Sequence, residues 1–192
     1  IYAETYTSKK AGNGVREDKI GRENPANKSI VREAVTLADY RDKYSLYRSD
    51  KSLQKVHAKF PMIVLWDDHE VQDNWAGAAP GGGLDAIKKF SAARKAAATK
   101  AFFESNPSFA GANRRRLYRS IPFGGTVELI AMDQRSYRQD QPCGDAVVPE
   151  CADYNQPRAL LGNAQLDWVK SRLSASKATW KILANEVTIM PT

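Results

Sequence analysis

A mixed α/β fold is what this sequence predicts, and three observations carry it. Segments with apolar residues at helical spacing alternate with strand-length apolar runs, with no internal repeat. One of those runs, Met62-Ile63-Val64-Leu65-Trp66, is apolar throughout, as suits a central strand covered on both faces. The 192 residues, 42% hydrophobic and 27% charged, are enough for one domain with a sizeable core. No apolar run reaches the roughly 18 residues that a membrane-spanning helix needs.

The elements follow in order. Residues 3–28 are polar, contain Gly and Asn, and read as a long surface loop. Ser29 is placed to cap a helix carrying Ile30, Ala34, Leu37, Tyr40, Tyr44 and Tyr47. Its tyrosines read as core rings with the hydroxyls at the rim. Asp50 is placed to cap a second helix through Leu53, Val56 and His57, which Phe60-Pro61 ends; His57 reads as an ordinary helix residue, not a ligand. The strand 62–66 comes next, then an acidic stretch, then a Gly-rich loop, 76–84, without Walker spacing. Asp85 is placed to cap a helix with Ile87, Phe90, Arg94, Ala97, Ala101 and Phe102 on one side. Residues 116–123 and 126–133 read as a hairpin turning at Gly124-Gly125. Asn163 is placed to cap a helix carrying Leu166, Val169 and Leu173, and Trp180–Met190 reads as a last strand. The chain starts at Ile1 and stops just past that strand, so the expectation is a fragment truncated at both ends.

The stretch Trp66-Asp-Asp-His-Glu-Val-Gln-Asp-Asn-Trp75 places four carboxylates and His69 directly after the apolar run. In open α/β sheets, ligand sites lie beyond the carboxyl ends of strands. Two adjacent acids in a crevice repel unless a cation neutralises them, and their oxygens suit hard cations such as calcium, magnesium, manganese or ferric iron. An imidazole there is a ligand or a proton donor near neutral pH. The residues alone leave a second reading open, in which Asp67 and Asp68 cap a helix beginning near Asp68 and face solvent.

Net charge is +7, but the basic residues are dispersed apart from Arg114-Arg115-Arg116, and no specific nucleic-acid recognition is expected. Cys143 and Cys151 share a polar loop. They suit a disulfide in an exported protein and free thiols in a cytosolic one; neither CxxC spacing nor a nearby histidine points to zinc.

Several blocks give the acidic stretch a context. Tyr40-Arg41 … Tyr44-Ser-Leu-Tyr47-Arg48-Ser-Asp50, Ile63 to Val71, Asn74-Trp75-Ala76-Gly77, Ala131 to Arg138 and Gln141-Pro-Cys143-Gly-Asp145 together closely resemble the PhoD-like alkaline phosphatase and phosphodiesterase family. The likeness continues through Leu161-Gly162, Gln165 and Trp168 to Trp180-Lys-Ile-Leu-Ala. It implies part of a four-layer α/β/β/α metallophosphatase sandwich, with residues 1–192 as a single partial domain. It also implies metal-dependent hydrolysis of a phosphate mono- or diester, with ferric iron and calcium as cofactors or other divalent cations in their place.

Carried over by position, Tyr2 matches an iron-binding tyrosine and Asp68 a metal ligand. His69 matches the residue that stabilises the phosphate or protonates the leaving oxygen. Asn74 is a possible calcium-side ligand, Asp67 a ligand or a neighbour of one, and Arg135 and Arg138 are candidates to bind phosphate, with ion pairs to Asp133 or a loop acid as the other reading. Asp73 stands where the family usually has Asn, which leaves that position's role open. The family's early Cys and bridging Asp, and its late Gly-Asp-x-His block, have no counterpart in these residues. Little turnover is therefore expected from the 192 residues alone. The competing expectation is a degenerate, non-catalytic module that binds anions. Export is expected, with its signal outside this segment.

Overall fold

The computed structural model describes residues 1–3, 33–82, 84–107, 116–146 and 151–187. The chain divides into two compact units. One comprises residues 1–63, 69–73 and 84–107; the other comprises 64–68, 74–83 and 108–192. The proposed loop at 3–28 and the Ser29 cap lie outside the described residues, apart from Ala3.

The first unit is helical. Helix α1, Leu37–Arg48, starts after Thr36, whose side chain accepts from Asp39 N while the Asp39 carboxylate returns to the Thr36 backbone, a capping box. The helix therefore begins later than the apolar spacing from Ile30 implies. Helix α2, Lys51–Lys59, is capped by Asp50, which accepts from Leu53 N at 2.7 Å. The helix expected from Asp85 is two helices, α3 Leu84–Lys89 and α4 Ala92–Ser105. Ser91 breaks the run by capping α4 through Arg94 N, and Asp85 falls inside α3 instead of before it. Helix α4 turns Ala98, Ala101 and Phe102 inward and packs against α1, where Tyr40, Tyr44 and Leu46 are buried.

The second unit is a small sheet with a crossing helix. Strands β1, Arg119–Phe123, and β2, Val127–Ala131, pair antiparallel with Arg119 opposite Ala131 and Phe123 opposite Val127. The turn at 124–126 begins with Gly124 at φ +59°, a conformation that favours glycine. Helix α5, Asn163–Ala175, then carries the chain to β3, Trp180–Ala184, which pairs parallel to β2. The order is β1-β2-β3, with β2 central. Gly162, at φ +68°, holds the cap position of α5, so Asn163 is inside the helix instead of capping it. Ile130, Met132 and Val169 form the core here, with Leu161 and Trp168 packed against it.

The run 62–66 is not a strand in this fold. It pairs with no strand among the described residues; Met62 and Ile63 are exposed and Trp66 is buried. An apolar run reports a demand for burial, not a hydrogen-bonding partner, and here Trp66 alone meets that demand fully. The last strand stops at Ala184, short of the Met190 that the apolar run suggested, because residues 185–187 leave the sheet as a bend; residues 188–192 lie outside the described residues.

Candidate active site

Residues 66–75 form successive turns, and no helix starts at Asp68. That overturns the reading of Asp67 and Asp68 as helix caps. The two ends of the stretch meet. Trp66 and Trp75 are both buried and pack edge to face, with ring centroids 5.6 Å apart and planes at 87°. The boundary between the two units runs through the stretch: Asp67, Asp68, Asn74 and Trp75 belong to the sheet unit, and His69 to Asp73 to the helical unit. Each group is built by its own unit.

In the sheet unit, a turn following β2 supplies a buried arginine to the two acids. Arg135 donates through Nε to Asp67 Oδ1 at 2.7 Å, and its Nη2 lies 3.5 Å from Asp68 Oδ1. Asp68 is buried while Asp67 is half exposed. Asp133, two residues past β2, sets that turn. Its Oδ1 accepts from Trp66 Nε1 at 3.1 Å, from Ser136 N at 2.9 Å and from Arg135 N at 3.3 Å. The Asp133 backbone is held in turn by Gln165 of α5, which accepts from its N–H and donates to its carbonyl, both at 2.8 Å.

Asn74 donates its N–H to Asp68 Oδ2 at 2.8 Å and adopts φ +56°, a left-handed conformation that asparagine tolerates. Gly77, at φ +58°, donates to Arg135 O at 2.8 Å; a Cβ there would stand 2.6 Å from Arg138 O. Arg138 has its Nε and Nη1 enclosed without a hydrogen-bond partner among the described residues. Burial, then the neighbouring Arg135, lowers its proton affinity, while Asp145, Asp67 and Asp68 act the other way. Arg138 also borders an open hollow of about 660 Å³ shared with Ala76, Ala79 and Arg158.

In the helical unit, the Tyr2 and His69 rings touch, with centroids 4.3 Å apart. His69 accepts the Ala3 N–H at its carbonyl, 2.8 Å away, and its Nε2 lies 3.7 Å from Asp73 Oδ1. Asp73 thus stands beside the imidazole, four residues along.

The donors suit hard cations. The sheet unit offers the Asp67 and Asp68 carboxylates together with the Asn74 amide, whose side chain makes no hydrogen bond among the described residues. The helical unit offers the Tyr2 phenol and the His69 imidazole. Oxygen-rich sets of this kind favour hard cations over soft metals. The nearest thiols are not available, because Cys143 and Cys151 form a disulfide with Cα atoms 5.7 Å apart.

The family model for PhoD-like phosphatases matches residues 1–192. The chain belongs to the PhoD-like phosphatase family. Alkaline phosphatase D of Bacillus subtilis (strain 168) is 38% identical over 160 residues, which are 81% of this chain and 27% of that protein. A solved structure described as the structure of PhoD superposes with a TM-score of 0.72 at 37% identity, covering 82% of this chain and 31% of that one. The chain thus spans about three tenths of the length of these PhoD relatives. The likeness accords with the mixed α/β arrangement of a small sheet and helices described above.

Of the residues singled out in the sequence, the sheet unit brings together Asp67, Asp68, Asn74 and Arg135, with Arg138 in electrostatic range. The helical unit brings together Tyr2 and His69. Sequence reasoning paired Arg135 with Asp133 as one alternative; the contact with Asp133 is made by the backbone N–H, and the guanidinium goes to Asp67 and Asp68. It missed Asp133 as the organiser of the turn, although an acid closing an apolar strand two residues before an arginine was a signal. Gln165 gave no signal beyond its place in the resemblance, because its partner is 32 residues away.

Proposed function

We propose that the parent protein hydrolyses phosphate esters with bound metal ions, and that residues 66–75 with 133–138 supply one wall of its site. The observation that carries this reading is the buried Asp68 beside half-exposed Asp67, both set against Arg135, in a chain matched throughout by the PhoD-like phosphatase model. Residues 1–192 are read as part of one such domain, since a single family model runs through both units.

Asp68 and Asn74 would hold metal, with Asp67 contributing a further carboxylate, and Tyr2 is a further candidate ligand by the resemblance. Ferric iron and calcium are the cofactors that the family likeness implies, and they supply Lewis-acid stabilisation of the phosphoryl oxygens when bound. Arg135 keeps the acids apart and in place, and its fork and that of Arg138 are suited to orient phosphate oxygens. His69 is suited to pass a proton from Nε2 toward the leaving oxygen, with the Asp73 carboxylate 3.7 Å away. The disulfide supports a protein exported to an oxidising compartment. No helix among the described residues is long and apolar enough to cross a membrane.

The test is turnover of a chromogenic phosphate mono- and diester by the full-length parent, with and without a chelator. Chelator-sensitive activity that Asp68→Ala and His69→Ala each reduce by about a hundredfold or more is the expected result. Full activity in either variant removes that residue from the site. No turnover with any ester, together with retained phosphate binding, favours the anion-binding module instead. The isolated 192 residues are expected to show little turnover; chelator-sensitive activity from them overturns that expectation.

A further inference from the structure

The block from Tyr40 to Asp50 takes no part in the proposed chemistry, and several of its polar residues tie the helical unit together. Arg41 grips Glu104 with two hydrogen bonds of 2.8 Å, and Arg48 donates to Asn106 at 2.7 Å, which ties α1 to α4. Asp50 caps α2. Tyr40 is different, because its partner lies in the turn that carries His69. The Tyr40 hydroxyl donates to Val71 O at 2.6 Å and accepts from Arg94 Nε at 2.9 Å. Arg94 Nη1 in turn lies 2.8 Å from Glu33 Oε1.

This line is enclosed: Tyr40 and Val71 are 0% exposed and Arg94 is 1% exposed. A phenol that accepts from a guanidinium becomes a stronger donor, and the low local dielectric adds to the effect. The turn is therefore held at two points. Ala3 N–H binds His69 O, with Ala34 N–H on Ala3 O behind it, both at 2.8 Å; Tyr40 holds the carbonyl two residues further on. Fixing the peptides on either side of a short turn restricts the backbone torsions that aim the imidazole. A reacting group must be held to within about 0.5 Å of its productive place.

We propose that Tyr40 is a positioning residue for the reaction, and that the line Glu33–Arg94–Tyr40–Val71 sets where the His69 imidazole stands. The proposal rests on the role of His69 given above. It also explains why a tyrosine is needed at position 40: phenylalanine fills the same space but leaves both Val71 O and Arg94 Nε without their partner.

The decisive variant is Tyr40→Phe in the full-length parent. Expected are a fall in kcat of about tenfold with KM within about twofold, and faster amide hydrogen exchange in residues 69–73 with β1 and β2 unchanged. Added to His69→Ala, Tyr40→Phe is expected to slow the reaction no further. Wild-type kcat, unchanged exchange in 69–73, or additive losses in the double variant overturn the proposal. If the parent hydrolyses no ester, the function given above fails, and the exchange measurement alone still decides whether Tyr40 orders the turn. Should Tyr40→Phe fail to fold, Arg94→Lys keeps a charge near Glu33 while removing the Nε donor, and the same readouts apply.

Discussion

Gly77 shows how a single residue can fix one arginine's backbone and leave room for another's. Its N–H fixes Arg135 O, and the space a Cβ needs is already filled by Arg138 O. Gly77→Ala is expected to destabilise the protein by about 1–3 kcal/mol, read by chemical denaturation, because alanine meets both a positive φ and a backbone clash. Glu186 gives a second prediction at this scale. It exchanges hydrogen bonds with Gln134, accepting from Gln134 N at 3.0 Å while Glu186 N donates to Gln134 Oε1 at 3.0 Å. Burial, with Asp133 and Asp67 adding to it, pushes its carboxyl from the ordinary 4.5 up to about 8. The folded state therefore binds the proton more tightly than the unfolded chain. The stability this provides is full below 4.5 and is lost as pH rises toward about 8. Wild-type melting temperature is expected to fall across that window, and Glu186→Gln, which mimics the neutral acid, to flatten the dependence. An unchanged slope in the variant refutes the assignment. Neither residue was legible from sequence: Gly77 looks like any loop glycine, and Glu186 meets Gln134 from 52 residues away.

At the scale of elements, the caps and the hairpin were legible because their causes are local. Asp50 lies three residues before the N–H it binds, and Gly124-Gly125 marks its own turn. What failed was the reading of continuity. Ala92 to Ser105 and Leu84 to Lys89 look like one helix by spacing, but the Ser91 hydroxyl competes for the backbone and starts a new one. The coupling of α5 to β2 was likewise invisible, and it carries two features. Glu128 on β2 accepts from Ser120 of β1 and from Arg172 of α5. The bond from Ser120 above all, then those from Ser176 and Arg172, lowers its carboxyl to about 2. Gln165 of α5 satisfies both backbone groups of Asp133. Gln165→Ala strands those two buried groups and is expected to cost about 2–3 kcal/mol in denaturant unfolding. Since Asp133 shapes the turn that carries Arg135, ester turnover by the parent should fall as well. A Gln165→Ala protein with wild-type stability removes that clasp from the account.

For the molecule as a whole, the sequence was most informative where the resemblance joined distant blocks, since spacing alone left Asp67 and Asp68 with two readings. The structure then decided against the helix cap. The Cys143–Cys151 bridge closes a loop with a sequence separation of 8. Loop entropy of that size amounts to about 2.5 kcal/mol. Replacing both cysteines by serine is expected to lower unfolding free energy by up to that amount, with wild-type protein under reducing conditions matching the variant. Equal stability of oxidised and reduced protein goes against a structural role. The net charge of +7 is spread over the sequence, so affinity for nucleic acid is expected to be weak and to lack a steep salt dependence.

The edge-to-face pair of Trp66 and Trp75 has an optical consequence. Two indoles this close and nearly perpendicular couple their transitions, so the loop that carries the acids writes its own signature in circular dichroism. Trp180, at 65% exposed, emits from water instead and is open to soluble quenchers. The four tryptophans thus sort into populations that quenching can separate, and the shielded pair offers a label-free probe of the proposed cation binding at the acids.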